Sequence, residues 1–371
     1  MGLSLTKLMF PPKEIIGIDI GSYAVKIVCF SEEKKQIKLK EWGHIPLSIK
    51  PDVPPEEKRA IIAQEIRNFV KKKGLQATNA AVSVSGNAVI VRYVKLPKLS
   101  KKELALTLNV EAEPFIPFDI KDVNLTYYIL NDIMEEGQPK METVLVAAKK
   151  DAVQEKIDIL GQAGLDPLVI DVDSFALETL YDRLTPQPDA NAVLILNIGH
   201  KVTNLSIISQ GMTRVVRDIF IAGATLEKAV QKILKTDGGA AVSGADAIKR
   251  SKGLLVTDDE KEAAISDFDR EGIAVSKAAS GVLKDLHTEV SRSIDFYLSQ
   301  GMEHSISKIM LSGGVANLGN IAKFMTSEFK VPVEIADPFG FLPDRGSVPK
   351  EALSSLAVAA GLALRKLKDW E

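Results

Sequence analysis

Residues 15–28, Ile-Ile-Gly-Ile-Asp-Ile-Gly-Ser-Tyr-Ala-Val-Lys-Ile-Val, hold two β-branched runs on either side of an Asp-x-Gly-Ser turn. Such a pattern reads as a buried strand, a tight glycine turn and a returning strand. Gly21 lets backbone N–H groups approach an anion, Asp19 stands where a carboxylate can hold a cation through water, and Lys26 on the returning strand reaches towards the same point. This is phosphate-binding equipment, although an ordinary hairpin with a surface aspartate has the same residues. The plan recurs at 192–208, where an apolar strand runs into Asn197, Ile198, Gly199 and His200 and returns through Thr203. Two such turns about half a chain apart predict two related halves facing each other across a cleft. A third strand, 305–312, runs into Gly313 and Gly314, and glycines there let a flat ring or a ribose pass close to the backbone.

The bulk numbers narrow the partners. With 371 residues the chain is long enough for two domains or four small subdomains. A net charge of −2, with no basic stripe interleaved with aromatics, argues against nucleic acid as the main ligand. Cys29 is the one cysteine, so no internal disulfide forms, and its place in a strand reads as apolar filling in a reducing compartment. No apolar run reaches the roughly 18 residues of a spanning helix. The first ten residues carry too short an apolar stretch for a signal peptide. Leu3, Leu5, Leu8, Met9 and Phe10 suit either a partner or membrane-surface contact or a tail folded on its own domain or disordered. His44, His200, His287 and His304 lack metal-ligand spacing, which predicts neither a zinc site nor a histidine-based triad.

Along the chain, 37–45 reads as a strand and 56–73 as a helix with Ile62, Ile66, Phe69 and Val70 on one face, stopped by Gly74. Strands at 80–85 and 89–94 precede a capping box, Ser100 with Glu103, that opens a helix to about 113. Pro114 and Pro117 end it. Strands at 123–134 and 142–148 follow, then a helix capped by Asp151 and reaching 162, then a strand at 168–173 that feeds a helix to 183. Residues 185–189 read as the crossing between halves. The second half continues with helices at 223–235, 244–252, 257–265 and 274–300, a helix at 321–329, a strand at 331–335 and a loop at 337–348. The last helix, 353–368, has Ala357, Ala359, Ala360 and Gly361, small enough for close packing across the bottom of the cleft.

Together the three glycine segments resemble the phosphate 1, phosphate 2 and adenosine motifs of the actin-like ATPase superfamily. The seven-residue step from Asp19 to Lys26 and the six-residue step from Asn197 to Thr203 are those of the actin pattern. Four stretches resemble the PilM family of type IV pilus assembly, which is related to FtsA. They are 17–22, the segment 111–118 ending in Pro-Phe-Ile-Pro-Phe with 123–127, 172–177, and 356–364. The resemblance implies an α/β, actin-like (ribonuclease H-like) two-domain fold with a nucleotide cleft and a small inserted subdomain as in FtsA. The implied division is a first core of 13–84, 161–190 and 353–371, an insert of 85–160, a second core of 191–222 and 274–352, and an outer helical subdomain of 223–273.

The same resemblance implies ATP and Mg2+. Asp19, Gly21, Ser22 and Lys26 would hold phosphates from one side, and Asn197, Gly199, Lys201 and Thr203 from the other. Gly313, Gly314 and Asn317 would border the adenosine, and Asp246 and Lys249 would reach the base or ribose. Asp19 and Asp173 are the candidate catalytic carboxylates, with Asp19 also the candidate metal ligand. Asn197 and His200, however, stand where the pattern shows aspartates, and an amide cannot supply the charge a magnesium site prefers. The expectation is therefore nucleotide binding with slow or absent hydrolysis. The implied partner is the cytoplasmic N-terminal tail of the inner-membrane protein PilN, held in a groove between main domain and insert. Phe115, Ile116 and Phe118 are its candidate contacts, and a buried proline-rich connector is the equal alternative for them. With other inner-membrane pilus components, this would place the chain in the cytoplasm at the inner face of the inner membrane. An FtsA-like filament former would need a membrane-binding helix after a linker, whereas the sequence runs from its packing helix directly to Lys368, Asp369, Trp370 and Glu371. A small-molecule kinase would need an aspartate base in a clear context, and none stands out.

Overall fold

The structure, a computed structural model, describes residues 14–33, 36–50, 52–187, 191–236, 243–300 and 305–365. The first ten residues, His304, and the chain end from 366, including Trp370, lie outside these ranges, as do 188–189 of the expected crossing.

The duplicated sequence plan becomes a duplicated sheet. In the first half the strand order is Gln36–Pro46, Ala24–Glu33, Ile16–Ile20, Asn79–Val84, Asp166–Val172. In the second it is Met212–Ile219, Thr203–Ser209, Ala192–Ile198, Ile306–Ser312, Val333–Ile335. Each sheet is an antiparallel meander of three strands whose inner member pairs in parallel with a fourth strand, and the fourth pairs in parallel with a fifth. Every residue of Ala192–Ile198 is buried, the signature of a central strand covered on both faces.

Between the sheets lie the helices Asp173–Leu184 and Ala357–Ala363. One core runs through them, taking Val28, Ala81 and Val169 from the first sheet and Val193, Ile195 and Met310 from the second. A side chain at Gly361 would place its Cβ 1.9 Å from the Ala176 carbonyl oxygen, so only glycine allows the two helices to approach this closely. Over its described residues, 353–365, the helix expected to reach 368 is broken: the end of a short helix Lys350–Leu353 is followed by a 3-10 turn Ser354–Leu356 and the helix Ala357–Ala363. The break has a partner: Gly313 N–H donates to the Ser354 carbonyl (2.8 Å) and the Asn317 amide to the Glu351 carbonyl (2.7 Å), drawing both carbonyls towards the third glycine turn.

The insert is a three-stranded antiparallel sheet, Val89–Pro97, Gln138–Lys149, Val123–Glu135, with the helix Lys101–Ala112 on it. The helix begins at the expected capping box: Glu103 N–H donates to Ser100 Oγ and Ser100 N–H to the Glu103 carboxylate. Leu96, Leu104, Met141 and Leu145 centre its own core. The helix Lys150–Ala163, expected to close this insert, packs elsewhere. Its Ile159, Leu160 and Ala163 join Ile16, Ile27, Ile62 and Ile66 on the first sheet, against the helix Pro55–Lys72. Asp151 lies in its first turn and accepts from Ala152 N–H, while Lys149 holds the capping position. Cys29 is buried in the first sheet, and burial pushes its thiol up to about 12. No described helix is long and apolar enough to cross a membrane.

Candidate nucleotide site

The three glycine turns meet at one end of the two sheets. In the first, strand register sets Lys26 opposite Asp19, and Lys26 Nζ donates to Asp19 Oδ2 at 2.9 Å with both side chains more than four-fifths buried. Gly21 N–H closes the turn on the Ala24 carbonyl (3.1 Å), and Gly199 N–H closes the second on Val202 (3.0 Å). A Cβ at Gly21 would stand 2.6 Å from Lys26 Nζ, and one at Gly199 2.8 Å from the Val202 carbonyl oxygen, so a side chain at either glycine would collide with its own turn.

Behind the first turn, Asp173 begins the helix Asp173–Leu184 and accepts from Ser83 Oγ at 2.5 Å. Desolvation first, and the neighbouring Asp19 charge second, push its carboxyl up to about 7, opposed by the Ser83 and Ser85 hydroxyls. Lys156, from the repositioned helix Lys150–Ala163, sends its ammonium to the Ile20 carbonyl at 3.5 Å, directly before Gly21. Burial lowers its pKa, with Asp173 and Asp19 the main charges acting the other way.

The second turn is built differently. Asn197 is buried, and its amide is used on both sides: Oδ1 accepts from Ser312 Oγ (3.1 Å) and Nδ2 donates to Asn204 Oδ1 (2.9 Å). Asn204 Nδ2 in turn donates to Asp218 Oδ1 (2.8 Å), and Asp218 Oδ2 accepts the backbone N–H of Gly86 at the root of the insert. Burial raises the Asp218 carboxyl, offset by those two hydrogen bonds. Thr203 is fully buried with its hydroxyl on the Ile221 carbonyl (2.7 Å), and Lys201 is exposed on the turn. In the third turn Asn317 Oδ1 accepts from Ser354 Oγ (3.1 Å) while its amide holds Glu351; a Cβ at Gly314 would meet nothing within 4 Å.

The mouth of the cleft is bridged by side chains from both halves. Ser22 Oγ and His200 Nδ1 share a hydrogen bond of 3.1 Å, the Tyr23 and His200 rings lie 5.7 Å apart, and His200 Nε2 is 3.5 Å from the Glu227 carboxylate. Lys249, on the helix Gly244–Arg250, donates to Tyr23 Oη at 3.2 Å. Asp246 accepts from Ser243, the capping residue of the same helix, so the two expected ligand residues divide: Asp246 bonds the cap and Lys249 crosses the cleft. Among the described residues no group of three or more His, Cys, Asp or Glu side chains could hold a metal ion by itself. Two tight glycine turns, two lysines and two carboxylates suit a nucleotide polyphosphate, whose oxygens would complete the shell of any magnesium held by Asp19.

A cavity of about 510 Å3 lies where the insert meets the second half, lined by Gly86, Val89, Arg92, Phe118, Asp218 and Phe220 among others. A second, of about 440 Å3, continues past Phe118 and Lys149 to Asp119 and Asp151. Lys149 Nζ stands 4.9 Å from the centre of the Phe118 ring, so this pair joins the two spaces. Phe115 is exposed, whereas Ile116 is 6% exposed within the insert core, which leaves Phe115 and Phe118 as the surface of that segment.

The model of the type IV pilus assembly protein PilM family matches residues 17–265 and 276–367. The chain belongs to this family. It is similar to a chain of a PilM-PilN type IV pilus biogenesis complex, at 27% identity and a TM-score of 0.77, over 95% of this chain and 99% of that one. It is also similar to the ethanolamine utilization protein EutJ from Carboxydothermus hydrogenoformans, at 12% identity and a TM-score of 0.51, over 96% of this chain and 90% of that one, a likeness of fold. The fold is actin-like.

Within this PilM-family chain, the structure brings Asp19, Lys26 and Asp173 together and adds four groups that sequence reasoning missed: Ser83, Lys156, Asn204 and Asp218. Ser83 and Ser85 alternate on a small-residue strand, and that alternation was the one available signal. Lys156 is 136 residues from Ile20 and belongs to no motif.

Proposed function

We propose that this PilM-family chain is an ATP-binding adaptor that captures the short cytoplasmic N-terminal tail of a PilN-type inner-membrane protein, and so joins the inner-membrane platform of pilus assembly. The observation that carries the reading is the cavity pair meeting at Phe118 and Lys149, in a chain similar to one solved within a PilM-PilN complex. The space runs between the insert and the second half, has apolar walls at Val89, Phe118 and Phe220, and is flanked by Arg92 and Lys149. An extended peptide with apolar side chains suits such a channel, anchored by a few buried residues. Capture of that tail would hold the chain at the membrane surface through its partner, alongside other inner-membrane pilus components.

ATP lies in the cleft between the three glycine turns in this reading. Asp19, Gly21, Ser22 and Lys26 face its phosphates on one side and Gly199 and Lys201 on the other, with Gly313, Gly314 and Asn317 beside the adenosine and Lys249 towards the base or ribose. Asn197 and Thr203 support the second turn from below, since their polar atoms are already bonded within the protein. Hydrolysis is slow or absent, because Asp19 is neutralised by Lys26 and Asp173 is partly protonated near neutrality, leaving no strongly charged pair to orient magnesium and water. Bound ATP then acts as a clamp between the halves.

Calorimetric titration of the full chain with a synthetic PilN N-terminal peptide tests the reading. Saturable one-to-one binding, weakened about tenfold by Phe118→Ala, is the expected result. Absence of binding with and without ATP and magnesium would overturn it. A steady-state ATPase rate at or above about one turnover per second, the lower end of ordinary enzymes, would overturn the clamp.

A further inference from the structure

We propose that Lys156 belongs to the phosphate site: delivered from the helix after the insert to the root of the first glycine turn, its ammonium is a protein-borne cation that lets the cleft hold a nucleoside polyphosphate with little dependence on a divalent metal. The inference rests on the ATP reading given above and deepens it by naming how the phosphate charge is met.

Lys26 and Lys156 approach the same turn in different states. Lys26 is already paired with Asp19 at 2.9 Å. Lys156 is half-buried, and among the described residues its one hydrogen bond is to the Ile20 carbonyl, at the long distance of 3.5 Å. It makes no ion pair within 4 Å there, although Asp173 and Asp19 are the carboxylates that act most strongly on it. An ammonium has three donors, and removing it from water without an anion is costly. A group in that condition beside a glycine turn, whose backbone an anion can approach closely, is suited to a ligand rather than to the resting fold.

The charge around the turn points the same way. Asp19 is paired with Lys26, burial pushes the Asp173 carboxyl up to about 7, and Lys156 has no ion pair among the described residues, so the site carries little net negative charge before anything binds. Lys58 adds a further positive charge near Lys156. In a site built around magnesium the carboxylates stay free to face the ion and its waters. Here Asp19 is taken up by Lys26 and Asp173 by Ser83, and the second turn contributes an amide, Asn197, bonded on one side to Ser312 and on the other to Asn204. A polyphosphate entering this site meets two ammoniums at its base. The packing of Ile159, Leu160 and Ala163 on the first sheet fixes the helix that carries Lys156, so the cation is positioned by the core and not by a mobile loop.

The test is titration of the full chain with ATP and with adenosine, each with magnesium and with EDTA, for wild type, Lys156→Gln and Lys156→Arg, with thermal denaturation of each as a check on folding. The expected result is that EDTA weakens ATP binding to wild type by less than about fivefold, or roughly 1 kcal/mol. Lys156→Gln weakens ATP by about tenfold or more while leaving adenosine unchanged, and Lys156→Arg stays within about threefold of wild type, since arginine retains the charge. The proposal is overturned if Lys156→Gln binds ATP as wild type does, if it loses ATP and adenosine equally, or if wild type loses ATP altogether in EDTA. Should Lys156→Gln fail to fold, the arginine variant and the EDTA titration of wild type still decide. Wild type that binds neither ATP nor adenosine would remove the ATP reading itself, whereas binding that ignores residue 156 removes this inference alone.

Discussion

The two glycine turns come from one plan and have taken opposite electrostatic forms. Both follow a buried strand, both close through a glycine N–H on a carbonyl three residues on, and both return antiparallel. Around the first are Asp19, Lys26, Lys156 and Asp173; beneath the second is a neutral chain from Ser312 through Asn197 to Asn204, ending on Asp218. The backbone plan shapes the cradle, and the side chains decide whether it carries charge or transmits hydrogen bonds. The first turn is equipped to bind, and the second to hold the sheet and the root of the insert in register.

The comparison breaks hardest at Asn197. Asn197→Leu strands buried partners on Ser312 and Asn204 and costs about 2–4 kcal/mol, read from the denaturant midpoint at constant m. Asn197→Asp costs less in acid than in base: a buried carboxyl with no cation titrates high, so its protonated form can replace the amide donor, and stability falls as pH rises through its folded pKa. It also gives no gain in ATP turnover, because the new oxygen faces Asn204 and not the cleft.

At the first turn the expected losses fall on binding. Lys26→Met weakens ATP by about tenfold in calorimetry, near the size of one charge-assisted contact. Asp173→Asn sharpens the contrast through pH. The wild-type carboxyl is raised from 3.8 to about 7, so it favours the fold in acid and that contribution is lost as pH rises through about 7. The variant keeps an acceptor for Ser83, and its melting temperature relative to wild type climbs between pH 5 and pH 8 by on the order of 2 °C or more. The smallest effect belongs to the mouth: Lys249→Met removes an exposed contact with Tyr23 and shifts the melting temperature by less than about 1 °C.

The strands, the two halves, and the charged pair Asp19 and Lys26 were legible because they depend on local periodicity and on a hairpin whose register sequence spacing determines. The helix Lys150–Ala163 was legible as a helix but not in its allegiance: its apolar face suits either sheet, and only tertiary packing chooses the first. Lys156 was hidden for the same reason. Asn197 was legible as a departure from the aspartate pattern, yet its purpose depends on Ser312 and Asn204, brought together by two different neighbouring strands. The interruption at the start of the last helix was not legible because composition does not reveal that Gly313 and Asn317 claim the carbonyls of residues 354 and 351.

The core that passes through Asp173–Leu184 and Ala357–Ala363 belongs to neither half alone, since both sheets lay side chains into it. Cooperativity follows: neither half can melt and leave the other intact, so the two sheets should lose protection from hydrogen exchange together. The insert, centred on Leu104, Met141 and Leu145, has a small core of its own, and it is the part of the chain that can open early without bringing down the rest.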